Sequence, residues 1–295
     1  MTERTSIFAG DVATRSIITT YAGTFASPPS ERLLVDNIEQ HRGDDRIEPQ
    51  VLREHLEYGR MLATCLCYRS VADPHGPITR GEMRPRIEHE GHIAGVTQFG
   101  REASEIGAWP QIANLNDLYG MKIAQAIPGF HVSLNMGHQA FANPDAYMRK
   151  ILRLTENHRV DPRNVTLEII ETIEGISRKM ADLLHRLIAN GFRIAIDDFP
   201  DGHAMENLLS AKKYKVRPDV LKISGSETAS VGMNNDETIR NSIFMASDMG
   251  VSTFVFEGNA DHPITRRQLD GLNMIQNRVG HDMKLYVEGP VFETA

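Results

Sequence analysis

The sequence predicts an α/β protein built as a (β/α) barrel, and three observations carry that expectation. Short apolar runs of strand character recur along the chain, amphipathic segments of helical period separate most of them, and polar groups of site type stand at the ends of the runs. Alternation of this kind gives parallel crossover units, and in a barrel the carboxyl ends of the strands meet at one mouth. No glycine-rich dinucleotide loop follows the first strand, which counts against an open nucleotide-binding sheet.

Taken in order, residues 1–29 close on Ser27-Pro28-Pro29 and are turn-rich, so they read as an N-terminal arm, and residues 30–295 as the barrel domain. The apolar spacing of SERLLVDNIEQH predicts a helix over 30–41, and RMLATCLCYR predicts a strand over 60–69. HVSLN at 131–135 is a strand, and Asn143-Pro144 opens a helix with Tyr147, Met148, Ile151 and Leu152 on one face. VTLEII at 165–170 is the next strand. In SRKMADLLHRLIANG at 177–191, Met180, Leu183, Leu184, Leu187 and Ile188 are spaced three and four apart, with Gly191 where a left-handed cap falls. FRIAIDD at 192–198, VLKIS at 220–224, VSTFVFEG at 251–258 and KLYVEG at 284–289 complete the strands.

Composition narrows the partners. A net charge of -7 without a long basic run argues against DNA, RNA or an anionic membrane surface. Cys65 and Cys67 sit too close for an unstrained bridge within an extended strand and have no other partner, which suits reduced thiols in a cytoplasmic protein. No stretch approaches the ~18 apolar residues of a membrane span, and the N-terminus lacks the apolar core of a signal peptide.

The strand-end residues can now be collected: Asn135, Glu168, the adjacent Asp197 and Asp198, Lys222 and Glu257. Converging on one mouth, they make an oxygen-rich site for a hard divalent cation, Mg or Mn. The paired aspartates then have a reason. A carboxylate that bridges two ions, with its neighbour on the second, relieves the repulsion of like charges.

These fragments resemble the EAL-domain phosphodiesterases, bacterial signalling proteins that hydrolyse cyclic di-GMP, over roughly residues 30–292. Asp197-Asp198-Phe199 resembles the family's D-D-F-G-T-G, LEIIE at 167–171 its L-E-x-T-E, Leu134-Asn135 its V-N-L-S, VLKI at 220–223 its V-L-K-I-D and FEG at 256–258 its A-E-G-V-E. DPHGPIT at 73–79 resembles its H-P-x-x-G-x-I-S. The resemblance implies a modified TIM-like (β/α)8 barrel whose first strand is antiparallel, with RIEPQVL at 46–52 in that place. It assigns Asn135, Glu168, Asp197 and Asp198 to metal, Lys222 and Glu257 to catalysis beside the attacking water, Arg69 and Glu288 to substrate contacts, and Glu171 to loop coupling.

Counted from Gly59-Arg60, the family's G-R-I-V-G-x-E-A-L-L-R places Cys65-Leu66-Cys67 at the naming motif, so a soft sulfur replaces the metal-binding glutamate, poorly suited to Mg and better to Zn. Pro200 stands where the loop's first glycine is expected, Ser224 follows the lysine motif in place of Asp, and Glu288-Gly289-Pro290 replaces Q-G-Y. The implied function is a degenerate EAL domain with impaired hydrolysis, holding as few as one Mg or Mn ion and acting as a cyclic di-GMP receptor or protein-interaction regulator, as a monomer or a homodimer. The alternatives are an active phosphodiesterase producing linear pGpG and an unrelated metal-dependent barrel enzyme.

Overall fold

The computed structural model describes residues 17–22, 30–35, 46–58, 61–74, 76–89, 92–232, 236–258, 264–280 and 282–288, with backbone alone at 17–22, 30–35, His92 and Asp236. The chain starts with two antiparallel strands, β1 (Ile17–Ala22) and β2 (Ser30–Val35), paired from Ile17↔Val35 to Ala22↔Ser30. This corrects the helix expected over 30–41. The β-branched run IITTYA supplies a partner strand, and cross-strand pairing overrides the weak helical spacing. Residues 36–41 and much of the expected arm lie outside the described residues.

Then follow α1 (Pro49–Glu57), β3 (Met61–Ser70), β4 (Arg80–His89), β5 (His92–Ala94), α2 (Val96–Glu105), α3 (Trp109–Ala126) and β6 (His131–Met136). Next come α4 (His138–Ala142), α5 (Pro144–His158), β7 (Val165–Ile169), α6 (Arg178–Ala189), β8 (Arg193–Phe199) and α7 (Ala204–Lys213). The chain continues through β9 (Val220–Ile223), α8 (Gly225–Ser230), α9 (Asp236–Ser247), β10 (Thr253–Glu257), α10 (Arg266–Val279) and β11 (Lys284–Glu288).

Strand order β3-β11-β10-β9-β8-β7-β6-β4, closed by β3 on β4, makes an eight-stranded barrel, with β5 attached outside β4. Only β3 runs against its barrel neighbours; it is antiparallel to both β11 and β4. The modified barrel with an antiparallel first strand is therefore what forms. Its antiparallel strand is β3, however, and not RIEPQVL, because Pro49 opens α1 there at a first-turn position that needs no backbone N–H.

Strand alternation sorts the core. Leu134, Leu167, Ile194, Ile196, Leu221, Phe254 and Phe256 face the helices and are fully buried. In the lumen, Tyr68, Ala195, Val220 and Val255 form an apolar floor against Tyr286. One residue pair further along the same strands the lumen turns polar, which builds the site on rigid elements. The helices match their sequence signals: Asn143 caps α5 by accepting from the Ala146 N–H, Ser177 caps α6 from Met180, and Gly191 follows α6 with φ of 93°. No helix among the described residues is long and apolar enough to cross a membrane.

Candidate active site

Lys222 is the centre of the lumen. It points inward from β9, is fully buried, and its Nζ lies 2.7 Å from Glu257 Oε1, 2.8 Å from Asp197 Oδ1, 2.8 Å from Glu82 Oε2, 3.2 Å from Glu168 Oε2 and 3.6 Å from Glu288 Oε2. Five carboxylates around one ammonium hold it charged: burial opposes the charge, and Asp197, Glu168, Glu257 and Glu288 together outweigh that, raising its pKa well above the ordinary value.

The carboxylates do not share this charge evenly. Burial, opposed by Lys222 and reinforced by Glu82 and Asp197, pushes Glu168 up to about 8. Burial likewise raises Asp197 to about 6 and Glu288 well above the carboxylate range. Glu82 goes the other way. Burial disfavours its charge too, but Arg84 and Lys222 outweigh that and hold it below the ordinary range.

Glu82 and Arg84 both come from β4. There Gly81, Met83, Pro85 and Ile87 alternate with Arg80, Glu82, Arg84, Arg86 and Glu88, so the charged set takes the opposite face from the apolar one. Glu82 Oε1 accepts from Asn135 Nδ2 at 2.8 Å on the next parallel strand, β6, and Arg84 Nη2 donates to Glu82 Oε2 at 2.9 Å and to Glu288 Oε1 at 3.1 Å. Tyr68, inward from β3, donates to Glu168 Oε1 at 3.1 Å.

Asp197 and Asp198 escape the rule that neighbours on a strand face opposite ways. The pairing of β8 with β9 shifts register between Ile196 and Phe199, and Asp198 sits in the left-handed region at φ 55°. A bulge of this kind re-aims a side chain at a barrel rim. The turn that follows packs on Glu171: the His203 N–H donates to the Glu171 carbonyl at 3.1 Å, and a Cβ on Gly202 would meet that same oxygen at 3.2 Å.

A model of the EAL domain matches residues 51–258 of the chain. The chain belongs to the EAL domain family. It is 26% identical over 222 residues to the probable cyclic di-GMP phosphodiesterase PdeG of Escherichia coli K12, an alignment that covers 74% of this chain and 39% of that protein. The chain thus spans well under half the length of that curated relative. Among solved structures, the PaMucR phosphodiesterase in complex with cyclic di-GMP superposes with a TM-score of 0.65 at 21% identity, covering 81% of this chain and 93% of that one. The Bacillus subtilis YkuI protein, with an EAL domain in complex with cyclic di-GMP and calcium, superposes at 0.61 and 15% identity, covering 84% and 60%.

The EAL barrel corrects the register read from the sequence. Cys65 and Cys67 do not stand among the acids. Cys65 is buried on the helix-facing side of β3 with Leu52, Met61 and Met83, and its Sγ fills the space that a Cβ on Gly81 would enter. The error was one strand: residues 61–70 form the antiparallel strand, and the family's I-V-G-x-E-A-L-L-R falls on ITRGEMRPR at 78–86, with Glu82-Met83-Arg84 at the naming motif. The glutamate position has not been lost to sulfur. Arg69 moves with it. It lies one residue beyond the lumen-facing Tyr68, toward the floor of the barrel, so alternation turns it away from the mouth; Arg86 takes the corresponding place on β4.

Of the residues expected from sequence, Asn135, Glu168, Asp197, Lys222, Glu257 and Glu288 are brought together, Asp198 adjoins them through the bulge, and Glu171 lies at the adjoining loop. Gly289 and Pro290 are outside the described residues. Glu82, Arg84 and Tyr68 were missed, although the strict two-residue alternation of RGEMRPRIE was a readable strand signal.

The donor set fits a hard divalent cation. Asn135 Oδ1, Glu168 Oε2, Asp197 Oδ1 and Glu288 Oε2 are buried without a hydrogen-bond partner; the Asp197 and Glu168 atoms approach Lys222 closely but off the hydrogen-bonding direction. Glu82, Glu257 and Glu288 bring carboxylate oxygens within 4.8 Å of one another. Buried oxygens with spare lone pairs suit Mg or Mn better than Zn.

Proposed function

We propose that this EAL domain binds cyclic di-GMP and hydrolyses one of its phosphodiester bonds in a reaction dependent on Mg or Mn, water adding to phosphorus as the ribose oxygen leaves to give linear pGpG. The observation that carries this reading is the Glu82 carboxylate, hydrogen-bonded to Asn135 and ion-paired with Lys222. The names of PdeG and of the PaMucR complex support the choice of ligand.

Glu82, Asn135, Glu168 and Asp197 would hold an ion, with Asp198 beside Asp197; such an ion supplies hydroxide from bound water and polarises the phosphoryl oxygen. The chain's own groups prepare this. Lys222 locks the carboxylates in register and offsets part of their charge. Glu257, 2.7 Å from the ammonium, is positioned with it to orient a water and accept its proton. Burial raises the Glu168 carboxyl above its ordinary range, so a cation at that oxygen would compete with its proton. Arg86, at the mouth end of β4, replaces Arg69 as the phosphate-facing cation.

Purified protein with Mg or Mn should convert cyclic di-GMP to pGpG. Glu82→Gln should lower turnover by more than about 100-fold, whereas Cys65→Ser, on the far side of the sheet, should leave it within about twofold. Unchanged turnover in Glu82→Gln overturns the assignment. Saturable binding without turnover in the unmodified protein favours the receptor reading, which Pro200 in the loop and Glu288 in place of a glutamine support.

A further inference from the structure

Arg84 is a guanidinium inside a lumen already arranged for metal. Its neighbour two residues back, Glu82, accepts from it at 2.9 Å, Glu288 accepts at 3.1 Å, and Glu257 Oε1 lies 4.0 Å away. These are the three residues whose carboxylate oxygens converge within 4.8 Å. Lys222 reaches the same three from the other side, at 2.8, 3.6 and 2.7 Å. The trio is thus filled by two side-chain cations.

The sequence fits this pairing. With the naming motif on residues 82–84, the family pattern has leucine at 84 and glutamine at 288, where this chain has a guanidinium and a carboxyl group within hydrogen-bond reach of each other. Arg84 is 31% exposed, and its guanidinium reaches the fully buried Glu288, which without it would face Glu82 and Glu257 with Lys222 alone. Glu288 still has one oxygen, Oε2, without a hydrogen-bond partner, and is fully buried.

We propose that the Arg84–Glu288 pair is a built-in cation site: the guanidinium occupies the Glu257–Glu288 side of the lumen and Glu82 Oε2, so the domain takes up a single divalent ion, on the Asn135–Glu168–Asp197 side that Glu82 Oε1 faces. The inference rests on the lumen being a divalent-cation site, as in the reading above. It also assigns Arg84 a positioning role, because the guanidinium fixes the Glu82 oxygen that faces away from Asn135.

The test is calorimetric titration of chelator-stripped protein with Mn²⁺ alone, comparing the unmodified chain with Arg84→Met, Arg84→Lys and Glu288→Gln, each checked by circular dichroism. The unmodified chain should bind one ion. Arg84→Met should bind a second, or bind the first about tenfold more tightly as the competing charge goes, and should melt lower in chelator and recover with Mn²⁺. Arg84→Lys, which keeps the charge, should stay at one ion, and Glu288→Gln should loosen Arg84 and weaken the restriction. Two ions in the unmodified chain, or the same stoichiometry and affinity in folded Arg84→Met and Glu288→Gln, overturns the proposal, as does the absence of Mn²⁺ uptake throughout. Cyclic di-GMP turnover is read separately. Turnover with unchanged stoichiometry and affinity in Arg84→Met sinks the built-in cation alone, and a second Mn²⁺ in Arg84→Met without turnover in the unmodified chain sinks the hydrolase reading alone.

Discussion

Asp198 answers the question raised by two adjacent acids at the end of a strand. An ordinary strand would send one of them to the helices, where an ion would be stranded among Ile194, Ile196 and Leu221. The left-handed backbone and the register shift remove that conflict, at a local conformational cost of the kind tolerated at functional sites. A second titrating group lies at the opposite end of the barrel. His131, at the start of β6, has its Nδ1 buried without a partner, and burial with nearby Arg80, Arg193 and Lys284 lowers its pKa from 6.5 to about 4. The unfolded chain therefore binds the extra proton between those values, and stability should fall as pH drops through that window. Denaturant unfolding at pH 7 and pH 5 checks this: His131→Gln should lose less stability than the unmodified chain over the interval, and an equal loss would remove His131 as a contributor.

At the scale of elements, β4 decides how the site is read. It carries Glu82, Arg84 and Arg86 on the charged face and packs Gly81 and Met83 against β3. A Cβ at Gly81 would come within 2.5 Å of Cys65 Sγ and 2.8 Å of the Leu66 carbonyl oxygen. Gly81→Ala should therefore cost about 1–3 kcal/mol of stability, measured by chemical denaturation, and Cys65→Ala in the same chain should recover part of it; full stability in Gly81→Ala would contradict the packing. The strands from β6 to β11 were legible because their helix-facing sides are unbroken aliphatic and aromatic runs. β4 carries its signal only as alternation, which Pro85 and five charged residues obscure in a strand that faces a polar lumen. Pro85 is tolerated where β4 has a strand partner on one side only, between its pairing to β6 at residues 80–82 and to β5 at 87–89. Missing this one strand moved the naming motif onto β3 and set Cys65 in the place of its glutamate. The β1–β2 pair was lost for a different reason: a long-range strand partner is invisible to local periodicity.

At the scale of the molecule, the barrel concentrates five carboxylates in a largely buried lumen and holds them with two side-chain cations, leaving negative charge that a divalent ion would relieve. The apolar floor of Tyr68, Ala195, Val220 and Val255 lies toward the amino ends of the parallel strands, and the polar groups toward their carboxyl ends, where barrel sites lie. Glu82 would belong to that ion's coordination shell. Crystals soaked in Mn²⁺ and recorded at the manganese absorption edge test this directly. The expected result is an anomalous peak within bonding distance of the Glu82 carboxylate and the Asn135 amide oxygen; a peak bound only by residues outside the lumen, or an ordered Glu82 turned away from the ion, would contradict it.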